Sequence, residues 1–279
     1  MNRKILLSAA LLLGLTAMAQ PASFSAPRML LQATTQGLMA PVWSPDGTKI
    51  AVTGDNYIGI WVANADGTGL RQVSDATGAG YQMTWADNSS LVSTPYVMVD
   101  SRRMTRVERV GIDGTVSQIT PAERNFKRSR LARQASVMDI MTDDPANATT
   151  RIASLTDYAG KMVINPAMSP DGSKVAFQVV GKGVFVCNAD GTGLVALGKG
   201  SHATWLPDNR HLMITRIEDN GEVFTHSDIY CIDIAGGNEM LITPETEVIP
   251  VTMAVSPDGS KLAFDNDTDG CIYVIDLKY

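Results

Sequence analysis

The chain has 279 residues, 44% of them apolar and 6% aromatic, with 23 basic against 29 acidic side chains and a formal charge of −6. That composition is globular rather than disordered, and its acidic balance argues against a nucleic-acid partner, which needs a basic face. Beyond Gln20 no run is long and apolar enough to span the roughly 30 Å of a bilayer core.

The chain opens with basic Arg3 and Lys4, an apolar run from Ile5 to Leu15, and the small-x-small segment Ala17-Met18-Ala19. This pattern predicts a secretory signal peptide over residues 1–19, with cleavage leaving Gln20 and no cysteine to carry a lipid. The mature chain, residues 20–279, is expected to be one soluble, monomeric, exported domain, periplasmic or secreted. Without Arg3 and Lys4 it holds 21 basic and 29 acidic residues, a formal charge of −8.

One motif recurs through the rest. Val42-Trp43-Ser44-Pro45-Asp46-Gly47-Thr48-Lys49-Ile50 returns as Ala167-Met168-Ser169-Pro170-Asp171-Gly172-Ser173-Lys174-Val175 and as Ala254-Val255-Ser256-Pro257-Asp258-Gly259-Ser260-Lys261-Leu262. Worn copies surround Trp205 and Trp85. Proline presets the first corner of a turn, aspartate bonds back to nearby amides, and glycine takes the left-handed position. The residue before the turn, Trp43, Trp85, Met168, Trp205 or Val255, sets a register mark. The marks step by 42, 83, 37 and 50 residues, and 83 is close to two steps, so six units are counted. A period near 40 residues points to a propeller or solenoid.

Each unit reads as four strands. In the first these are Ala40–Ser44, Lys49–Thr53, Tyr57–Ala63 and Leu70–Ser74, called a to d. The c–d turn Asn64-Ala65-Asp66-Gly67-Thr68-Gly69-Leu70 recurs unchanged at residues 188–194, and an Asp-Gly pair between apolar runs marks a hairpin. Trp61, Phe185, Tyr230 and Tyr273 form a c-strand column expected to pack between neighbouring units. The third unit is weak: only a c strand at Ser136–Met141 and a d strand at Thr150–Leu155 are predicted. Residues 121–135 read as a basic insertion or a degenerate part of that unit. Arg124, Lys127, Arg128, Arg130 and Arg133 there, with Arg102, Arg103, Arg106 and Arg109 upstream, form a candidate basic patch, a solvated face or a dock for an acidic partner. The last unit lacks a d strand. Leu31 precedes Trp43 by 12 residues, as Val73 precedes Trp85, so Arg28–Thr34 is expected to complete the last unit and close a ring.

The Ser-Pro-Asp-Gly-x-Lys turns, the aromatic c strands, the Asp-Gly turns and the strand ends Ile119-Thr120, Leu155-Thr156 and Ile242-Thr243 resemble the TolB-type propeller repeat over residues 28–279. The resemblance implies an all-β, six-bladed propeller of the bacterial envelope with one degenerate blade. The TolB protein carries a further α/β domain ahead of its propeller, for which this chain offers no room, so a Tol–Pal role is not carried over. Related propellers with a hydrolase domain use a Gly-x-Ser-x-Gly elbow, absent here.

The d–a and b–c connections of a propeller gather at one mouth of its channel. The candidate binding residues there are Asp75, Asp157, His202, His226, Glu245 and Glu247, with Glu218 and Asp219 adding to an acidic rim suited to a basic peptide segment. The expected role is a non-enzymatic binder of a protein or peptide in the cell envelope. The alternative is a small glycan lyase- or hydrolase-like enzyme at the same mouth, led by His202, His226 and Asp157. No cofactor is expected. Asp265, Asp267 and Asp269 have most of a calcium-loop spacing, but a strand follows instead of a helix, so an Asp-rich turn is the preferred reading and a bound calcium the alternative. His211 takes the place of an exposed hairpin lysine and is expected at the surface. Cys187, Cys231 and Cys271 occupy non-equivalent strand positions and read as buried, unpaired thiols.

Overall fold

The computed structural model describes residues 21–33, 35–124, 126, 136–236, 238–244 and 247–279. The predicted signal peptide lies outside them, as do Lys127, Arg128, Arg130, Arg133 and Glu245. Among the described residues no helix is long and apolar enough to cross a membrane.

The chain is all-β and built of antiparallel meanders. Five sheets follow the a-b-c-d order. Sheet I comprises Leu38–Trp43, Lys49–Gly54, Ile60–Asn64 and Arg71–Ser74. Sheet II comprises Thr84–Asp87, Ser90–Ser93, Glu108–Gly111 and Val116–Gln118. Sheet III comprises Val163–Met168, Lys174–Val179, Gly183–Asn188 and Val195–Gly198. Sheet IV comprises Ser201–Trp205, His211–Asp219, Phe224–Asp233 and Glu239–Leu241. Sheet V comprises Pro250–Val255, Lys261–Asn266 and Ile272–Lys278, and Arg28–Leu31 from the start of the described chain pairs with its last strand, Arg28 opposite Val274 and Leu31 opposite Ile272. Ser23–Phe24 pairs further along that strand.

The a–b turns show why the repeated hexamer is written as it is. In sheet I the Asp46 carboxylate accepts from the Ser44 hydroxyl at 2.7 Å, the Thr48 amide at 3.0 Å and the Thr48 hydroxyl at 2.8 Å, while the Lys49 amide donates to Ser44 Oγ at 2.9 Å. The same bonds recur around Asp171 and Asp258. Gly47, Gly172 and Gly259 sit at φ of 68, 71 and 74°, where a Cβ is unfavourable. Asn209 holds that corner in the worn fourth copy at φ 59°.

The register mark joins sheet to sheet. Trp85 Nε1 donates to Val42 O of sheet I at 3.0 Å, Trp205 Nε1 to Ala167 O of sheet III at 2.9 Å, and Trp43 Nε1 to Ala254 O of sheet V at 3.1 Å. In each case the acceptor is the residue before the preceding sheet's own mark. Apolar side chains fill the same seams. Leu38, Trp43, Ile50, Ala263, Ile272 and Val274 form one cluster between sheets V and I, and Ile60, Val62, Val73, Met83, Leu91 and Val110 another between sheets I and II. The c-strand aromatics belong to this packing: Trp61, Phe185, Tyr230 and Tyr273 each contribute to a different cluster.

The third unit departs from expectation. Where strands were predicted at Ser136–Met141 and Thr150–Leu155, the chain forms α1 (Val137–Asp143), α2 (Ala148–Arg151) and a 3-10 turn at Ala153–Tyr158. Ser136 and Asp139 make a capping box, the Ser136 hydroxyl accepting from the Asp139 amide at 3.1 Å and the Asp139 carboxylate from the Ser136 amide at 2.8 Å. Val137, Met138, Ile140 and Met141 follow helical spacing, and they pack with Ile152 and Leu155 on Val163, Val175 and Phe177 of sheet III. The helices thus lie on the face of sheet III that has no strand-built neighbour. Met168, its register mark, has no indole and is 37% exposed.

Two smaller expectations divide. Cys187, Cys231 and Cys271 are buried and form no disulfide. His211 is not at the surface: it is 6% exposed, with Nδ1 2.5 Å from Asp208 Oδ2. The worn copy substitutes this His–Asp contact for the hydroxyl bonds of the intact hexamer.

Two outcomes follow from these bonds. Trp205→Phe keeps the ring but leaves the Ala167 carbonyl without its donor, so chemical denaturation is expected to show a loss of about 1–2 kcal/mol. The turn acids set an acid limit. The hydroxyl and amide of Ser89, then the Ser90 hydroxyl, hold Asp87 down at about 2. The Ser44 hydroxyl and the Thr48 amide likewise lower Asp46. A depressed carboxylate contributes stability that is present above its unfolded value near 3.8 and lost as pH falls toward about 2. Melting followed by circular dichroism across that window is expected to show the loss, with a shallower slope for Asp87→Asn.

Candidate functional site

A cavity of about 980 Å³ opens where the a strands begin and the b–c connections end. Tyr57 and Tyr81 come from the sheet I side, Met141 and Thr142 from α1, and Asn165 and Gln178 from sheet III. His202, Arg216, Glu218, His226, Asp228 and Tyr230 come from sheet IV.

A bend repeated in the a strands aims side chains there. Three residues before the register mark stand Ala40, Gln82, Asn165 and His202, all with left-handed φ, 51, 52, 52 and 48°. Non-glycine residues seldom adopt this conformation, and such strain gathers at functional sites. In sheets I, III and IV the ladder slips across this point, between Met39 and Val42, Ile164 and Ala167, and Ser201 and Thr204. All four bent residues line the cavity. The fifth equivalent, Thr252, lies at the same slip, between Pro250 and Met253, but without the left-handed φ; Asp265 holds it by accepting from its amide at 2.6 Å and its hydroxyl at 2.8 Å, and from the Ala40 amide at 3.1 Å. Asp265 is therefore a buried clamp between the a strands of sheets V and I, and burial pushes its carboxyl above the usual range.

Sheet IV supplies most of the polar wall. Its b and c strands pair Arg216 with Asp228 and Glu218 with His226, so these four side chains share one face and alternate in sign. His226 Nε2 lies 3.0 Å from Asp228 Oδ2. Arg216 stacks over Tyr230 at 4.1 Å and pairs with Glu239 through Nη1 at 3.0 Å and Nη2 at 2.5 Å. His202 Nδ1 is buried with no hydrogen-bond partner, and burial lowers the pKa of the ring. Tyr57 meets Tyr81 edge to face at 5.1 Å on the opposite wall.

The sequence-predicted mouth residues separate accordingly. His202, His226, Glu218 and Asp219 line the cavity; Asp75, Asp157 and Glu247 are exposed and do not. The wall is thus mixed in charge, with Lys199 and Arg216 beside the acids, rather than an acidic rim. Asp157 falls in the helical segment that replaced the predicted strands, which moves it from a d–a connection to a 3-10 turn. Glu245 lies outside the described residues. Asp265, Asp267 and Asp269 do not converge: Asp265 is the buried clamp, Asp269 accepts from the Cys271 amide and the Tyr273 hydroxyl, and Asp267 is exposed. Among the described residues no group of three or more His, Cys, Asp or Glu side chains is placed to hold a metal ion. Of Arg124, Lys127, Arg128, Arg130 and Arg133, Arg124 alone is described, exposed on a short strand.

Sequence reasoning missed Tyr57, Tyr81, Gln82, Asn165, Arg216 and Tyr230 as cavity residues. Counting three back from each register mark would have found Gln82 and Asn165.

No family model matches the chain, and no curated protein matches it in sequence. Solved structures do. One chain of a mitotic checkpoint complex is 15% identical, with all of both chains covered and a TM-score of 0.53. The β-propeller domain of Cps50 (Swd1) from Myceliophteria thermophila is 9% identical over 90% of this chain and 99% of its own, at a TM-score of 0.45. A TolB-like protein from Agrobacterium tumefaciens is 15% identical over 89% of this chain and 78% of its own, at 0.33. The structures it is similar to thus include β-propellers, and at these identities the likeness concerns the fold alone.

The unpartnered His202 gives a testable pH dependence. Burial holds the pKa of its ring in the folded chain below the ordinary histidine value, so acid drives protonation in the unfolded chain first. Stability from the neutral ring is complete above that value and is lost as pH falls below it. Thermal melts between pH 7.5 and pH 5, on the order of one unit either side of an ordinary histidine pKa, are expected to show that loss. His202→Gln is expected to remove it.

Proposed function

We propose that the chain is an exported β-propeller with six positions round its ring, five filled by sheets I to V and the sixth by α1, α2 and the turn after them. Three observations support the ring: Arg28–Leu31 pairs into sheet V, sheet V packs on sheet I through the Trp43 bond, and one cavity collects residues from sheets I, III and IV and from α1. The Ser-Pro-Asp-Gly repeats support placing it with TolB-type propellers. The start of the sequence supports export through a cleaved signal peptide to the periplasm or beyond.

The ring acts as a non-enzymatic binding module, taking a segment of a protein or peptide of the cell envelope at the cavity. The observation that carries this reading is the wall itself: aromatic faces at Tyr57, Tyr81 and Tyr230 beside the alternating Arg216, Glu218, His226 and Asp228 column. An apolar cavity with a few placed polar groups is the usual form of a ligand site, and neighbouring charges of opposite sign suit a chain segment bearing both. A second reading, a small enzyme acting on glycans or peptides, draws on the 3.0 Å His226–Asp228 contact and on the buried His202 Nδ1 that has no hydrogen-bond partner.

The two readings separate in one experiment. Envelope proteins retained by the mature chain are identified, and the interaction is measured by calorimetry for the unaltered protein and for Glu218→Lys, Arg216→Glu, His202→Ala and His226→Ala. A binding module is expected to lose affinity about tenfold or more on either charge reversal, with no turnover of glycan or peptide substrates. Turnover abolished by either histidine substitution, in a folded variant, establishes the enzyme instead.

A further inference from the structure

The long b–c hairpin of sheet IV, His211–Asp219 and Phe224–Asp233, turns through the only Asn-Gly pair of the sequence, Asn220-Gly221. The Asn220 amide closes the turn by donating to Val223 O at 3.2 Å. Both residues of the pair are exposed, and Gly221 holds a φ of 89°. Apart from its chain neighbours, no described atom lies within 4 Å of the place a Cβ of Gly221 would take, so water reaches this turn.

Three hydrogen bonds in this turn bring the partners of one reaction together. The Gly221 amide donates to Asp219 Oδ1 at 2.9 Å, so a carboxylate sits on the nitrogen that must give up a proton as it attacks. The Glu222 and Val223 amides each donate to Asn220 Oδ1 at 3.0 Å. Those two donors polarise the side-chain carbonyl and turn it toward the backbone that follows, the side on which Gly221 N lies. Two amides aimed at one carbonyl oxygen are the arrangement that stabilises an oxyanion, and a positioned base contributes about 10²–10⁴-fold to a proton transfer. Glycine, lacking a Cβ, leaves its nitrogen open to approach.

We infer that Asn220 is a self-catalysed deamidation site, with Gly221 N as nucleophile, Asp219 as base and the Glu222 and Val223 amides as the oxyanion hole. Gly221 N bonds to Asn220 Cγ and gives its proton to Asp219. The Cγ–Nδ2 bond then breaks, the departing nitrogen takes the proton from Asp219 and leaves as ammonia, and a five-membered imide remains. Water opens the imide at either carbonyl, which leaves aspartate or isoaspartate in place of Asn220. Nothing is oxidised or reduced, and water is the one co-reactant. The product adds a carboxylate beside Asp219, Glu222 and Asp267, which share a cavity of about 380 Å³ with Val223 and Phe224. Asp219 and Phe224 also line the large cavity, so the reaction irreversibly adds negative charge at its lip. The chemistry uses the turn alone and stands whether or not that cavity takes a ligand.

The test keeps the full mature chain at neutral pH in heavy-oxygen water and follows it by peptide mapping and mass spectrometry, with enzymatic methylation to separate isoaspartate from aspartate. Asn220 is expected to convert with uptake of heavy oxygen, at least about tenfold faster in the folded chain than in the same chain unfolded in guanidinium chloride. Asp219→Asn keeps an acceptor for the Gly221 amide but removes the base, and is expected to slow the folded chain about tenfold or more. Asn220→Gln, whose longer arm misplaces the carbonyl, is expected to lose the advantage of the folded state. Conversion no faster folded than unfolded, or a rate indifferent to Asp219→Asn in a variant with an unchanged melt, overturns the proposal. Preferential uptake at any other asparagine of the folded chain overturns it too. The comparison of folded with unfolded chain needs no variant and decides the matter by itself if Asp219→Asn fails to fold.

Discussion

The structure depends on a bond that crosses from three of the five sheets to a neighbouring one. A four-stranded meander has two broad faces and cannot bury either alone. The tryptophan at the end of an a strand reaches the neighbouring a strand one residue ahead of its equivalent position, so an apolar ring and a directed N–H are satisfied together. That fixes the stagger of one sheet on the next and brings all the a strands toward a common centre. The indole is missing at Met168, where the neighbour is a pair of short helices, and at Val255, where apolar packing joins sheet V to sheet IV.

Because the a strands are staggered alike, one local departure is multiplied. The left-handed bend three residues before the mark appears in four chain segments remote in sequence, and each delivers a side chain to the same space. The fifth segment slips at the same place without the left-handed φ and is tied down by Asp265, which holds the first and last sheets together instead of facing the cavity. Strain and clamp are alternative uses of one position. Sheet IV then differs from its fellows by long b and c strands, whose paired Arg216–Asp228 and Glu218–His226 rungs turn a structural hairpin into a charged wall.

Much of the strand order was legible because its determinants are short. The Ser-Pro-Asp-Gly-x-Lys turns specify themselves through bonds spanning five residues or fewer, and the pairing of Arg28–Leu31 with the last strand followed from a constant 12-residue offset. The third unit misled for the complementary reason. Residues 136–141 have apolar side chains compatible with either period, and the choice of helix was made by the Ser136–Asp139 cap and by the uncovered face of sheet III, neither of which a strand template registers. His211 misled because alignment to lysine carried an assumption of exposure, while its partner Asp208 lies three residues back and draws it in.

The sequence by itself determined the hairpins, their turns and the register mark, since those rest on local backbone preference and on contacts between near neighbours in the chain. Tertiary structure alone decided which polar groups face one another. Tyr57 and Tyr81 meet because a b–c and a d–a connection converge, and Asp265 left its acidic neighbours because two a strands offered it part-buried amides. Such choices are settled by burial and by the demand that every enclosed donor find an acceptor, quantities that exist only once distant segments have been brought together.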